Sequence, residues 1–175
     1  MSLRNLPAGA FLLFLAVPAW ALPDGADWSH DGGPGRPDCS ACHFDAAPLR
    51  QDARLTLDGL PERIEPGARY DLALTLSAET LKVAGFVLRA EMNGAEAGAF
   101  EPLGEGLEAK GGALRSNAKG ARPDAPGRVV WRFRWTAPEE LAGPVRFYVA
   151  ANAGNDDLSP FGDQVFLSVF QSSGR

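Results

Sequence analysis

The chain has 175 residues, a formal net charge of -5 at pH 7 and 45% hydrophobic residues. Its 17 Lys and Arg residues are outnumbered by 22 acidic ones and form no concentrated run. Nucleic acid is therefore not an expected partner, because binding to phosphates needs a concentrated basic face. Only two cysteines occur, which excludes a fold held together by a framework of disulfides.

The N-terminus has the pattern of a secretory signal peptide. Arg4 is the only charge before the apolar run Ala8–Val17, and Ala19-Trp20-Ala21 supplies the small-x-small triplet typical of a cleavage site. The apolar run is about half of the roughly 20 residues that span a bilayer, and an uncleaved anchor is the alternative. We predict that residues 1–21 are a signal peptide cleaved after Ala21. The mature chain is then periplasmic or secreted and has no membrane span.

Residues 22–52 are rich in Gly, Pro and Asp and are predicted to be an irregular segment with a short helical turn beside the cysteines. Within them, Cys39-Ser40-Ala41-Cys42-His43 matches the Cys-x-x-Cys-His attachment sequence of haem c. Two thiols three positions apart can form thioethers with the two vinyl groups of the porphyrin, and His43 then becomes the proximal iron ligand. Trp28 is a candidate to shield this group. We predict one covalent haem c in a monohaem cytochrome that transfers single electrons, an electron carrier rather than an enzyme.

The distal iron ligand is predicted to be His30. The thirteen residue steps from His30 to His43 reach roughly 43 Å when the chain is extended, which is more than two axial imidazoles need. Met92 is the other candidate, but it shares the alternation of Phe86 and Leu88 and is better explained as a core residue. An iron without a sixth protein ligand would instead indicate a sensor or a haem enzyme.

Two other interpretations of the cysteine pair stay open. In the first, Cys39 and Cys42 form a local disulfide in a haem-free sandwich that binds a surface ligand or another protein. A redox motif of the thioredoxin type would lie in a βαβ unit, which the sequence does not show. In the second, Cys39, Cys42, His43 and His30 bind zinc. For the cytochrome, the acidic chain favours docking to a basic redox partner protein.

Residues 53–175 show the alternation of short β-strands. Apolar residues recur at every second position in five runs, and Pro, Gly and Asn punctuate the sequence between them. With shorter segments at 54–57 and 107–114, we expect about seven strands without intervening helices. The prediction is a mainly β fold, an immunoglobulin-like β-sandwich that follows the irregular segment. The five runs are Tyr70 to Leu76, Ala84 to Met92, Val129 to Trp135 with Trp131 in the core, Val145 to Ala151, and Val165 to Val169.

An oxygen-rich group lies between the last two runs. Its carboxylates and amides could hold calcium in an exported protein. The alternative is that these side chains close turns with the local backbone. The group consists of Asn152, Asn155, Asp156, Asp157 and Asp163.

Several short motifs follow one another in a characteristic order: Gly33-Pro34-Gly35, Cys39 to His43, Glu65 to Tyr70, Ala84-Gly85-Phe86, Trp135 to Pro138, Val145 to Asn155 and Gly162-Asp163. In this order they resemble the bacterial reelin-domain-like exported proteins, also described as choice-of-anchor domains. Many of these begin with a Cys-x-x-Cys-His segment. The resemblance covers roughly the whole mature chain and implies an immunoglobulin-like sandwich at the surface or in the periplasm. Many relatives end in an anchoring segment that is absent here, so a soluble periplasmic protein is expected, and the extra cystines of animal reelin-type domains are absent too. The family's activity is poorly defined.

Overall fold

The computed structural model describes residues 25–174, so the predicted signal peptide lies outside the described residues. The described chain is mainly β, with twelve strands and two short 3-10 helices at Cys39–Ala41 and Ala118–Ala121. None of the helices within residues 25–174 is long and apolar enough to cross a membrane. The strands are β1 Leu49–Arg50, β2 Leu55–Asp58, β3 Arg63–Ile64, β4 Arg69–Ser77, β5 Val83–Met92, β6 Ala95–Glu96, β7 Ala99–Pro102, β8 Leu107–Lys110, β9 Ala113–Ser116, β10 Arg128–Thr136, β11 Val145–Gly154 and β12 Gln164–Gly174.

Two sheets form a sandwich, which confirms the predicted fold class. The larger sheet has the order β1-β12-β11-β5-β9-β8, with β3 added to β12 and β6 added to β5. The smaller sheet has the order β2-β4-β10-β7. There are more strands than the expected seven, because the predicted segment at 107–114 is a hairpin of two strands and several two-residue strands leave no periodic signal in the sequence.

The core lies between the sheets and contains the predicted alternating faces. In the smaller sheet, β4 and β10 pair so that Trp131 is opposite Leu74 and Phe133 is opposite Leu72. Both aromatic side chains are buried, and Phe147 packs edge-on against Trp135 with ring centroids 4.9 Å apart. Successive strand residues point to opposite faces, so one register places every alternate apolar residue in the core.

The last strand differs from the other runs. Its inner face contributes Phe166 to the core between the sheets, whereas Val165 and Leu167 belong to a separate buried cluster on the outer face. Val169 in the same run is 38% exposed. Both faces of β12 are therefore partly covered, and the alternation alone does not tell which face is the inner one.

Residues 25–48, which we call the strap, lie against the outer face of the larger sheet. Cys39 of the strap packs with Ala150 of β11 and with Val165 and Leu167 of β12. The strap then leads into β1, which pairs in parallel with β12. It corresponds closely to the predicted segment 22–52, and the boundaries of the three predicted domains stay predictions.

Candidate functional site

A buried carboxylate fastens the first half of the strap to the sheet. Asp31 is fully buried and accepts hydrogen bonds from Arg36 Nε at 2.7 Å and from Arg89 Nε, on β5, at 3.0 Å. It also accepts from the backbone N–H of Gly33 at 2.8 Å. Because the carboxylate has two guanidinium partners and a backbone donor, its charge is compensated although water is excluded.

The other ends of the same guanidinium groups extend this network. Arg36 Nη1 lies 2.7 Å from Glu91 of β5, and Arg89 Nη2 donates to the carbonyl of Trp28 at 3.0 Å. A Cβ at position 33 would collide with the Arg36 guanidinium, which explains the glycine there. The Gly33-Pro34-Gly35 motif thus belongs to the anchoring of the strap.

The cysteine motif forms one turn of 3-10 helix. Asp38 caps it by accepting from the backbone N–H of Ser40 at 2.8 Å. The carbonyl of Cys39 accepts from the N–H groups of Cys42 at 3.3 Å and His43 at 3.0 Å. The turn predicted beside the cysteines is confirmed, and it brings the two cysteines to the same side of one helical turn.

The two thiols have opposite environments. Cys39 is buried against the apolar outer face of β11 and β12, whereas Cys42 is exposed, and both are free thiols. Burial raises the pKa of the Cys39 thiol to about 12, and the negative charge of Asp38 adds to the effect. Cys39 is therefore a packed core thiol, and Cys42 is the one that a molecule in solution can reach.

His43 is held by two residues far away in the sequence. Its Nδ1 lies 2.6 Å from Oδ2 of Asp163, a carboxylate whose side chain is only 5% exposed. Asn152 of β11 donates to the same carboxylate oxygen at 3.1 Å, and the N–H of Asn155 donates to its other oxygen at 3.2 Å. Within the described residues, Oδ1 of Asn152 is buried without a hydrogen-bond partner. This triad of His43, Asn152 and Asp163 fixes the end of the cysteine turn to the sheet.

The triad includes two residues whose role sequence reasoning missed. Asn152 and Asp163 belong to the oxygen-rich group that is the candidate calcium site, but in the structure the members of this group make separate contacts. Asp157 accepts from the N–H of Ser159 at 2.9 Å, and that contact is the main reason its pKa is lowered. Asp156 forms an ion pair with Arg122 at 2.7 Å. In residues 25–174 no group of three or more His, Cys, Asp or Glu is arranged to hold a metal ion.

An apolar patch begins two positions after the exposed cysteine. We use this name for Phe44 and Phe161, which are 57% and 56% exposed, together with Leu158, which is 93% exposed on the same loop as Phe161. The rings of Phe44 and Phe161 meet edge-on with centroids 5.9 Å apart. Asp45 accepts from the N–H of Gly162 at 3.0 Å, which ties the strap to the loop between β11 and β12. Two segments distant in sequence thus present one aromatic surface.

The remaining predicted site residues make their contacts outside the cysteine turn, the triad and the apolar patch. Nδ1 of His30 lies 3.3 Å from the hydroxyl of Ser29 and 3.7 Å from the carboxylate of Asp27 within one turn. Met92 packs at the edge of the core, as expected. The indole of Trp28 lies under the guanidinium of Arg115 at 4.4 Å, so its partner is a cation of the sheet.

No family model and no curated protein sequence match this chain. Among solved structures, it is similar to the human F-spondin reeler domain (fragment 1), with a TM-score of 0.53 and 15% identity over 73% of this chain and 95% of that one. Fragment 2 of the same human domain has a TM-score of 0.50 and 18% sequence identity, over 73% of this chain and 96% of that one. The Reelin-N domain of F-spondin also has a TM-score of 0.50 and 18% sequence identity, over 73% of this chain and 92% of that one. At these identities the likeness shows the fold, which is reelin-like, and the fold part of the predicted resemblance is confirmed.

The predicted haem c is wrong. Thioether attachment needs both sulfurs of Cys39 and Cys42 at one open edge of the macrocycle, but the Cys39 side chain is enclosed by apolar residues of β11 and β12. No residues in the described range form a metal-binding cluster with His43 or His30, which also leaves the zinc alternative without support. The three solved structures named above are reeler or Reelin-N domains of F-spondin. Without a haem, the predicted iron-ligand roles of His43 and His30 no longer apply. The haem-free alternative fits the structure better.

Proposed function

We propose that this protein is an exported, haem-free β-sandwich that binds a partner protein through the apolar patch. The observation that carries the proposal is the exposure of Phe44, Leu158 and Phe161 on segments that are otherwise tightly fastened. Large apolar side chains grouped at the surface, rather than scattered, are typical of protein interaction sites. Aromatic residues also contribute most to the binding energy of interfaces.

The backbone of the patch supports a role in binding. Leu158 has a φ of 65°, a left-handed conformation that is unfavourable for a branched side chain, and Asp156 has a φ of 63°. Such strain persists where the surrounding structure fixes it, and it often occurs at functional sites. Here the loop is fixed by hydrogen bonds from Asn155 to Asp157 and to the carbonyl of Phe161. The effect is to present Leu158 to the solvent on a preorganised loop, which reduces the entropic cost of binding.

The charges around the patch specify the chemistry of the partner. Residues 155–163 contain three aspartates and no Lys or Arg, and Asp45 lies on the strap beside them. One aspartate, Asp156, is neutralised by Arg122. Asp163 is buried against His43, so Asp45 and Asp157 are the carboxylates left at the surface there. Together with the net charge of -5, they favour a partner segment that combines basic and apolar side chains.

The cysteine turn can close into a disulfide inside this module. The carbonyl of Cys39 already accepts from the N–H of Cys42, so the two Cα atoms are on the order of 5–6 Å apart, as a disulfide requires. An oxidising exported environment would favour that bond. Supporting export, Met1 to Ala21 has the composition of a cleavable signal peptide.

Binding is tested with the purified mature protein and an array of synthetic peptides of equal length. The array varies the numbers of basic, acidic and apolar residues, and binding is measured by fluorescence anisotropy. We expect basic apolar peptides to bind best, and a double variant, Phe44→Ser with Phe161→Ser, to lose that binding. Leu103→Ser is the matched control, since Leu103 is an exposed leucine outside the patch. Equal binding of acidic and basic peptides, or an equal loss in the control, would refute the proposal.

A further inference from the structure

The cysteine turn presents its two sulfurs unequally. Cys42 is exposed, two positions before Phe44 of the patch. The side chain of Cys39, on the same helical turn, points from the strap to the sheet and packs against Ala150, Val165 and Leu167. In this thiol pair one sulfur faces the solvent and the other is shielded, so the two sulfurs can have different chemical roles. The exposed sulfur can meet another molecule, and the shielded one can react only with the sulfur beside it.

We propose that Cys42 and Cys39 form a dithiol–disulfide couple that reduces a disulfide in another molecule, with Cys42 as the attacking sulfur and Cys39 as the resolving sulfur. Each exchange leaves the couple as the disulfide that the oxidising environment favours, so a further turnover needs an exported dithiol reductant of lower potential to restore the two thiols. This goes beyond binding, and it rests on the Cys39–Cys42 disulfide proposed above but not on the apolar patch. The class of substrate is a molecule with an accessible disulfide bond.

Each step of the exchange balances. The Cys42 thiolate attacks one sulfur of the substrate disulfide, a Cys42–substrate disulfide forms, and the first substrate thiolate leaves and takes up a proton. Cys39 then loses its proton and attacks the Cys42 sulfur. The Cys39–Cys42 bond forms, the mixed disulfide breaks, and the second substrate thiolate leaves. Two electrons pass from the two cysteines to the substrate, and their two protons end on its thiols.

The burial of Cys39 affects the rate of the exchange in both directions. In the reduced protein its thiol lies in an apolar environment that cannot stabilise a thiolate, and its pKa is raised to about 12. When the disulfide is attacked at the exposed Cys42 sulfur, Cys39 has to leave as that unfavourable thiolate. The single 3-10 turn that joins the two cysteines favours the internal disulfide over a mixed one, and the buried Cys39 leaving group makes re-reduction of that disulfide slow. The same property makes the resolving step slow at neutral pH.

Glutathione disulfide is a suitable probe because it is small and reacts without a docking surface. The reduced mature protein is incubated with it at pH 8, samples are quenched with N-ethylmaleimide, and intact masses are recorded until they stop changing. For the wild type we expect the loss of two hydrogens and no lasting glutathione adduct. Cys39→Ser should keep one glutathione on Cys42, whereas Cys42→Ser should react at least tenfold more slowly. Circular dichroism confirms that both variants are folded.

Two results would overturn the proposal. One is a wild-type protein that retains glutathione on Cys42 and never forms the internal disulfide. The other is a Cys42→Ser variant that reacts as fast as the wild type. In a buffer with equal concentrations of reduced and oxidised glutathione, the wild type should be mostly in the disulfide form, and a mostly reduced protein would contradict the direction of transfer.

The disulfide exchange and the docking surface can be refuted independently of each other. The double variant Phe44→Ser with Phe161→Ser should exchange with glutathione disulfide at the wild-type rate, because both cysteines and the capped turn are unchanged. Loss of peptide binding with retained exchange supports both proposals. Normal peptide binding by a protein that cannot exchange refutes only the redox couple, and exchange without selective peptide binding refutes only the docking surface.

Discussion

Replacing Asp31 tests whether the strap depends on one buried carboxylate. Asp31→Ala removes the acceptor of Arg36, of Arg89 and of the backbone N–H of Gly33. Breaking a buried ion pair by removing one partner costs about 3–5 kcal/mol, because the other charge is left without compensation. The two arginine side chains are 26% and 16% exposed, so water can partly rehydrate them. We therefore expect about 3 kcal/mol, the lower end of that range.

The weaker anchoring of the strap should be measurable as more frequent exposure of the Cys39 thiol. If opening of the strap becomes about 3 kcal/mol easier, the population that exposes Cys39 rises roughly a hundredfold. The assay is the rate of alkylation of Cys39 by iodoacetamide, measured in a Cys42→Ser background so that a single thiol reacts. Urea unfolding of the same protein reports the change in the free energy of global unfolding.

Two further variants define the result. Asp31→Asn keeps one side-chain acceptor and should fall between the wild type and the alanine variant. Asp71→Ala is the control, since Asp71 is an exposed carboxylate that pairs with Arg134 on the other sheet, and its loss should not change the alkylation rate. If Asp31→Ala alkylates no faster than the control and unfolds at the same urea concentration, the strap is held by other contacts and the reasoning is wrong.

Two more predictions concern the cysteine turn and the triad. The folded pKa of Cys39 is raised from 9.0 to about 12, so this thiol stabilises the fold below pH 9 and the contribution is lost as the pH rises toward 12. Between pH 9 and pH 11 the wild type should lose about 1.4 kcal/mol per pH unit more than Cys39→Ala in urea unfolding; parallel curves would contradict this. Asp163→Ala leaves the N–H donors of His43, Asn152 and Asn155 without their acceptor and should cost about 3 kcal/mol, with faster hydrogen exchange at residues 155–163. Asp71→Ala, an exposed carboxylate on the smaller sheet, is again the control, and an equal loss there would refute the role of the triad.

The motif at residues 39–43 shows how a short pattern can mislead. Its spacing is that of a haem attachment sequence, but spacing does not report whether the first thiol is accessible. That depends on Ala150, Val165 and Leu167, which are more than a hundred positions away and enclose Cys39. The helical turn itself was predictable, because the capping by Asp38 and the hydrogen bonds to Cys39 are local.

The patch and the triad could not be predicted for a similar reason. Phe44 and Phe161 are separated by most of the sandwich, and nothing in either segment indicates that their rings meet. Asp163 was recognised as part of an oxygen-rich group, yet its strongest contact, with His43, spans 120 positions. Side chains that meet through tertiary contacts leave no periodic signal.

The sequence by itself determined the strands and the class of fold. Alternation with a period of two is a property of single strands, so β4, β10 and β11 and their core faces follow from their own residues. Only the tertiary structure decided which face of β12 is the inner one, that the strap covers the other face, and that Cys39 is enclosed while Cys42 is free. The physical reason is that burial belongs to pairs of surfaces, and a segment does not encode the distant surface that will cover it.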